Sequence, residues 1–138
     1  MEVLDTSVGL KWVLTETDSD KARNLRDEVQ ATPRDFIAPD IFAAECAHAL
    51  TKGERQGKVI DPTALYNDVM LDAPRLFLSI PLMPRAIEIA RKARIAVYDC
   101  VYVALAEREG CDLITPDQRV INALKQDFPF LVDLATLP

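Results

Sequence analysis

Apolar residues along the chain fall into two alternating rhythms: short unbroken runs, and longer stretches with apolar positions recurring three or four apart. The first seven residues predict a short strand ending on Asp5, with the hydroxyls of Thr6 and Ser7 behind it. Residues 7–14 predict a short helix capped by Thr6 or Ser7, with Leu10, Val13 and Leu14 on one face. Asp18, Ser19 and Asp20 then form a cap cluster for a helix through residue 30, in which Ala22, Leu25 and Val29 make a buried stripe. The mixed charges opposite, Lys21, Arg23, Arg26, Asp27 and Glu28 with Asn24, read as a solvated face.

Residues 36–38 predict a strand ended by Pro39, and Asp40 opens a helix to about residue 55, with Gly53 and Gly57 bracketing its stop. Asp61 and Pro62, an acid cap followed by a proline at the first helical position, start a helix to about residue 73. A strand over 76–82 and a helix over 84–93, which includes Ile87 and Ala90, come next. A helix over 98–109 closes on Gly110, whose freedom at positive φ suits a helix end. A strand over 111–115, a helix over 116–127 and a last strand over 131–134 complete the series. Strands alternate with helices throughout, which predicts an α/β fold: a parallel sheet covered on both faces, with right-handed crossovers.

With 138 residues the chain has the usual length of one domain with one core, so residues 1–138 are expected to form a single unit. No run approaches the roughly 20 apolar residues of a membrane span, and strand-like sequence from Met1 leaves no room for a signal peptide. The expectation is a cytoplasmic protein with no membrane association. Cys46, Cys100 and Cys111 are odd in number, lack a C-x-x-C spacing and sit in apolar sequence, so they read as reduced core residues. One histidine, His48, is too few for a histidine-built metal site and reads as structural. A net charge of −6 disfavours a protein that coats nucleic acid, yet leaves room for a nuclease whose carboxylates meet phosphate through metal ions.

In an open parallel sheet ligands bind beyond the carboxyl ends of the strands, so position selects among the 22 acids. Asp5 ends the first strand, Asp117 lies two residues past Thr115 at the end of the fourth, and Asp99 stands in the first turn of its helix. Each alone could be a helix cap complementing the dipole. Glu45 differs: from Ile41 to Leu50 only Glu45 and His48 are not apolar, so a carboxylate on or beside a buried stripe needs a partner such as a cation or metal. Four such acids in one cleft would repel one another unless a divalent ion balanced them, and magnesium or manganese suits oxygen donors. That chemistry is metal-assisted phosphodiester hydrolysis.

Asp5-Thr6-Ser7-Val8-Gly9-Leu10-Lys11-Trp12, Ala43-Ala44-Glu45-Cys46-Ala47-His48-Ala49-Leu50, Tyr98-Asp99-Cys100-Val101-Tyr102-Val103-Ala104-Leu105-Ala106 and Leu113-Ile114-Thr115-Pro116-Asp117 together resemble the PIN-domain ribonucleases, and among these the VapC toxins of toxin–antitoxin pairs. The resemblance spans the chain in order and length. It implies a three-layer α/β/α sandwich with strand order 3-2-1-4-5 and an endoribonuclease site using Mg2+ or Mn2+. By the same resemblance Asp5 and Asp99 are direct metal ligands, Glu45 and Asp117 complete the acidic pocket, and Thr6, Ser7 and Thr115 support them by hydrogen bonds. It further implies an RNA substrate, a homodimer, and a cognate antitoxin whose tail fills the groove. Lys11 is spaced to reach the cleft rim but reads as solvated; Arg119 and Asn122 are phosphate contacts or plain surface.

Two other functions fit the residues less well. A phosphohydrolase with Asp5 as nucleophile would want a second acid two residues on, where Ser7 stands. A non-catalytic acidic α/β module that binds metal or a basic partner remains the alternative without turnover.

Overall fold

The computed structural model describes residues 1–138. Five short strands, β1 (Glu2–Leu4), β2 (Phe36–Pro39), β3 (Arg75–Phe77), β4 (Asp112–Thr115) and β5 (Leu131–Asp133), form one sheet in the order β3-β2-β1-β4-β5. Every neighbouring pair is parallel, with Val3 opposite both Ile37 and Leu113. Seven helices connect them: α1 (Thr6–Val13), α2 (Ser19–Ala31), α3 (Ile41–Arg55), α4 (Pro62–Leu71), α5 (Met83–Ala93), α6 (Val97–Glu109) and α7 (Gln118–Leu124). This is the three-layer α/β/α sandwich expected from the alternation of strand and helix, with the strand order that the resemblance implied.

Strands covered on both faces are apolar at their central positions, and Val3, Leu4, Ile37, Ala38, Leu113 and Ile114 are all buried, with Glu2 and Asp112 left at the strand ends. The helix α6 lies across β1, β2 and β4, with α5 packed on it. It is apolar on every side from Cys100 to Ala106 and all seven of those residues are buried, as a central helix requires. The helices α1 to α4 pack among themselves, joined by a close approach of α1 to α3. That approach needs Gly9: a Cβ there would stand 2.9 Å from Phe42 Cζ. Between α2 and α4, Arg26 bonds Asp68 and Asp72 and lies over Trp12, so it is a structural tie and not part of a solvated face.

Several boundaries differ from those expected. The cap of α1 is Asp5, because β1 ends at Leu4 and its turn leaves the Asp5 carboxylate to accept from Ser7 N. The fully buried positions of that helix are Thr6, Val8, Gly9 and Trp12, while Leu10 and Val13 pack half-buried at the edge of the core. In α5 the buried positions are Ala86 and Ile89, leaving Ile87 exposed. The strand expected over 76–82 pairs with β2 only from Arg75 to Phe77, and residues 80–82 form a 3₁₀ turn around Pro81, which has no N–H to extend a ladder. The expected helix over 116–127 is cut to α7, since Asp117 caps it from outside. No helix is long and apolar enough to cross a membrane. The three cysteines are free, with Cys46 and Cys100 buried.

Candidate active site

From β1 the chain crosses to β2 on one side, while β4 lies against its other edge; ligands of open α/β sheets bind at the carboxyl side of such a switch point. Asp5 follows β1 and Thr115 ends β4. The two are locked together: Asp5 N–H extends the pairing by donating to Ile114 O at 3.1 Å, and the Thr115 hydroxyl donates to Asp5 Oδ2 at 3.3 Å. Ser7 N–H donates to the same Oδ2 at 3.4 Å. Thr115 Oγ1 also accepts from Asp117 N–H at 3.1 Å, so one hydroxyl ties the ends of both strands.

Glu45 reaches this edge from α3, beside the stripe of Phe42, Cys46 and Leu50. Its partners are hydroxyls. Tyr102 OH donates to Glu45 Oε1 at 2.7 Å and Thr6 Oγ1 donates to the same oxygen at 3.1 Å, while the two hydroxyls also touch each other. Glu45 Oε2 makes no hydrogen bond to protein. Burial raises the Glu45 carboxyl above its usual value, with the nearby charge of Asp99 adding to the rise and the two hydroxyls opposing it. The need for a partner was legible in the sequence; Tyr102 as that partner was not, since it stood as one more apolar position in α6. Its spacing of three from Asp99, one helical turn, was the available signal.

Asp99 lies in the first turn of α6. Burial, then the charges of Asp5 and Asp117, push its carboxyl up to about 6 against the partial relief of Arg119. Asp5 is likewise pushed up to about 6, mainly by burial and further by Glu45, although its hydrogen bonds to Ser7 and Thr115 oppose the shift. The only cation that meets these acids is Arg119, whose Nη2 stands 3.4 Å from Asp99 Oδ2 and 3.6 Å from Asp117 Oδ2. Its side chain is 70% exposed, so the pair is screened by water.

Asp5, Glu45 and Asp99, with Thr6 and Ser7, line one cleft of about 640 Å³. Asp117 is set aside from them: it caps α7, accepting from Arg119 N–H at 3.0 Å and Val120 N–H at 3.4 Å, and faces an adjoining groove with Ser7 and Lys11. Lys11, expected as solvated, is 13% exposed with Nζ 3.9 Å from Glu16. Asn122 is plain surface, and His48 is not a core residue but an exposed one on the cleft wall. The donors are all carboxylate and hydroxyl oxygens, the set that suits a hard divalent cation. No three of the acids stand close enough to grip one ion between them. The set therefore fits an ion that takes one or two carboxylates directly and keeps several waters, the habit of magnesium.

Among solved structures the chain is similar to the crystal structure of PAE2754 from Pyrobaculum aerophilum, with a TM-score of 0.70 and 21% identity over 98% of this chain and 91% of that one. At that identity the likeness speaks for the fold alone. No curated protein matches the sequence. The family profile described as the PIN domain matches residues 3–125, from β1 through α7, and thus takes in Asp5, Glu45, Asp99 and Asp117. The chain belongs to the PIN domain family, whose members are generally nucleases.

Proposed function

We propose that this chain is a magnesium- or manganese-dependent endoribonuclease that acts in the cytoplasm as the toxin of a toxin–antitoxin pair. One observation carries the nuclease reading: Asp5 and Asp99, on different elements, share a cleft with Glu45, and both carboxyls are held near 6 by burial first and then by the charge of neighbouring acids, Glu45 on Asp5 and Asp5 with Asp117 on Asp99. Acids stressed in this way lower their energy by taking up a cation, and the family context makes phosphodiester hydrolysis the use of it. A bound divalent ion supplies positive charge to the phosphoryl oxygens and lowers the pKa of water.

The residues divide the work. Asp5 and Asp99 would hold the ion, and Glu45 and Asp117 would complete the acidic pocket around it. Thr115 and the Ser7 N–H orient Asp5 Oδ2. Thr6 and Tyr102 fix Glu45 Oε1, which leaves Oε2 to take the proton of the attacking water. The toxin role, a homodimer and an antitoxin with a basic tail rest on the likeness of the four motifs to VapC toxins, and an acidic cleft complements such a tail.

Incubation of the purified protein with single-stranded RNA tests the reading. Internal cuts in the presence of Mn2+ and none after chelation are expected; intact RNA under both conditions contradicts it. For the toxin role, induced expression in a bacterial host should arrest growth, and the Asp99→Asn variant should not.

A further inference from the structure

The carboxylates occupy only part of their cleft. The rest of its wall is apolar: Leu10 from α1, Ile41, Ala44 and Ala49 from α3, and the ring of Tyr98 from the first turn of α6, with His48 beside them. Ile41, Ala44 and His48 follow one another at helical spacing, and with Glu45 they form a single stripe that runs from the acidic part of the cleft into the apolar part.

Tyr98 is the anomaly in this wall. Eight large apolar side chains are exposed on the protein, and Tyr98, at 57%, is the only aromatic among them and the only one that lines this cleft. Its hydroxyl makes no hydrogen bond within the protein and its ring lies outside the hydrophobic core. It nevertheless sits next in sequence to Asp99.

The charge balance says what such a wall is for. The chain carries −6 overall, and the two cations nearest the acids, Lys11 and Arg119, both stand against carboxylates. A polyanion reaching this cleft therefore gains little from phosphate contacts with basic side chains. Apart from what a metal ion would contribute at the cleaved phosphate, its affinity must come from the bases, by stacking, which every base can offer because each has a π-face. We propose that the apolar half of the cleft is a nucleobase subsite, in which Tyr98 stacks on a base of single-stranded RNA next to the cleaved phosphate while Ile41 and Ala44 wall its other side. This rests on the nuclease reading and adds to it the part of the substrate that is gripped. The small side chains of Ala44 and Ala49 leave the space a planar ring needs. Paired RNA keeps its bases stacked inside the duplex and cannot present one to the ring.

Binding separates the subsite from catalysis. An end-labelled oligoadenylate and a strand of the same length lacking bases are titrated, by fluorescence anisotropy with Mn2+, against protein carrying Asp5→Asn to prevent cleavage. In that background Tyr98→Ala should weaken oligoadenylate binding by roughly tenfold or more, the effect of one lost base stack. Tyr98→Phe and Tyr98→Trp should retain it, and the strand without bases should bind weakly to all of them alike. Equal binding of oligoadenylate by the Tyr98→Ala protein and its parent overturns the proposal, as does a parent that binds the two strands equally or binds neither. A change in sedimentation on Tyr98→Ala with RNA binding unaltered would instead assign the ring to contact with a second copy of this chain, and likewise overturns it. Metal-dependent cleavage by the wild-type chain is read separately, so the nuclease reading can stand when the subsite fails.

Discussion

Tyr102 OH stands 2.7 Å from Glu45 Oε1, a bond between α6 and α3 across 57 positions of sequence. Burial holds the phenol well above its ordinary pKa, so it remains a donor at any working pH. Substitution Tyr102→Phe keeps the ring and removes only that donor. Because Glu45 is partly open to water, the expected cost in stability is about 1 kcal/mol. The expected effect on RNA cleavage is larger, about 10- to 100-fold in kcat with little change in KM, the usual penalty for losing a group that orients a metal-site carboxylate. Steady-state kinetics on a short RNA check this, and an unchanged kcat would show that Glu45 needs no such support.

The raised carboxyls of Asp5 and Asp99 set a pH dependence whose sign is the reverse of ordinary acid denaturation. Both ionise near 6 in the folded chain and near 3.8 when free of its influence, so between those values the folded state binds more protons than the unfolded one. These two groups thus destabilise the metal-free protein at pH 7, and the loss is recovered as pH falls through 6 toward 4. Added Mn2+ should raise the melting temperature at pH 7.5 by mass action and lose its effect below about pH 5, where protons occupy the acids. Thermal melts across this range, with and without chelator, measure both slopes; a metal-free protein whose stability is flat from pH 5 to 7 would contradict them.

Asp99→Asn removes one of the repelling charges and should leave the metal-free fold more stable at pH 7.5. A shift of about two units corresponds to about 3 kcal/mol in full, and with the side chain 21% exposed about 1–2 kcal/mol is the expected gain. Urea unfolding gives the value directly. A loss of stability would mean that the pairing with Arg119 outweighs the repulsion.

Gly9→Ala tests how closely α1 must approach α3. The added methyl would stand 2.9 Å from Phe42 Cζ, and Phe42 is fully buried, so its ring has nowhere to swing. Overpacking costs about 1–3 kcal/mol and the better helix propensity of alanine returns about 1, so a net loss of about 1 kcal/mol is expected. Since Thr6 on the same helix donates to Glu45 on α3, a displaced α1 should lower cleavage as well. A more stable variant with full activity would show that the helices can move apart freely.

What could be read from the chain alone followed from local rules. Asp5 and Asp117 stood out because strand ends in a parallel sheet face one edge, and Asp99 because it opens a helix. Glu45 stood out because a lone acid in an apolar helix demands an explanation. Tyr102 escaped notice since α6 is apolar on every side, and a tyrosine inside such a run reads as packing until the fold brings its hydroxyl to another helix. The exposure of Tyr98 was hidden for the same reason. The boundaries that moved depended on single caps and prolines: Asp5 in place of Thr6 or Ser7 before α1, Asp117 before α7, and Pro81 after β3. Lys11 and Arg26 were read as solvated because their carboxylate partners come from outside their own helices.

The most direct test of the acidic site is Mn2+-dependent cleavage of single-stranded RNA by wild-type, Asp5→Asn and Asp99→Asn proteins, each shown by its melting curve to be folded. Cleavage by the wild type alone, abolished by chelator and by either substitution, is the expected result. Undiminished cleavage by both folded variants would contradict the assignment of Asp5 and Asp99 as the residues that hold the metal.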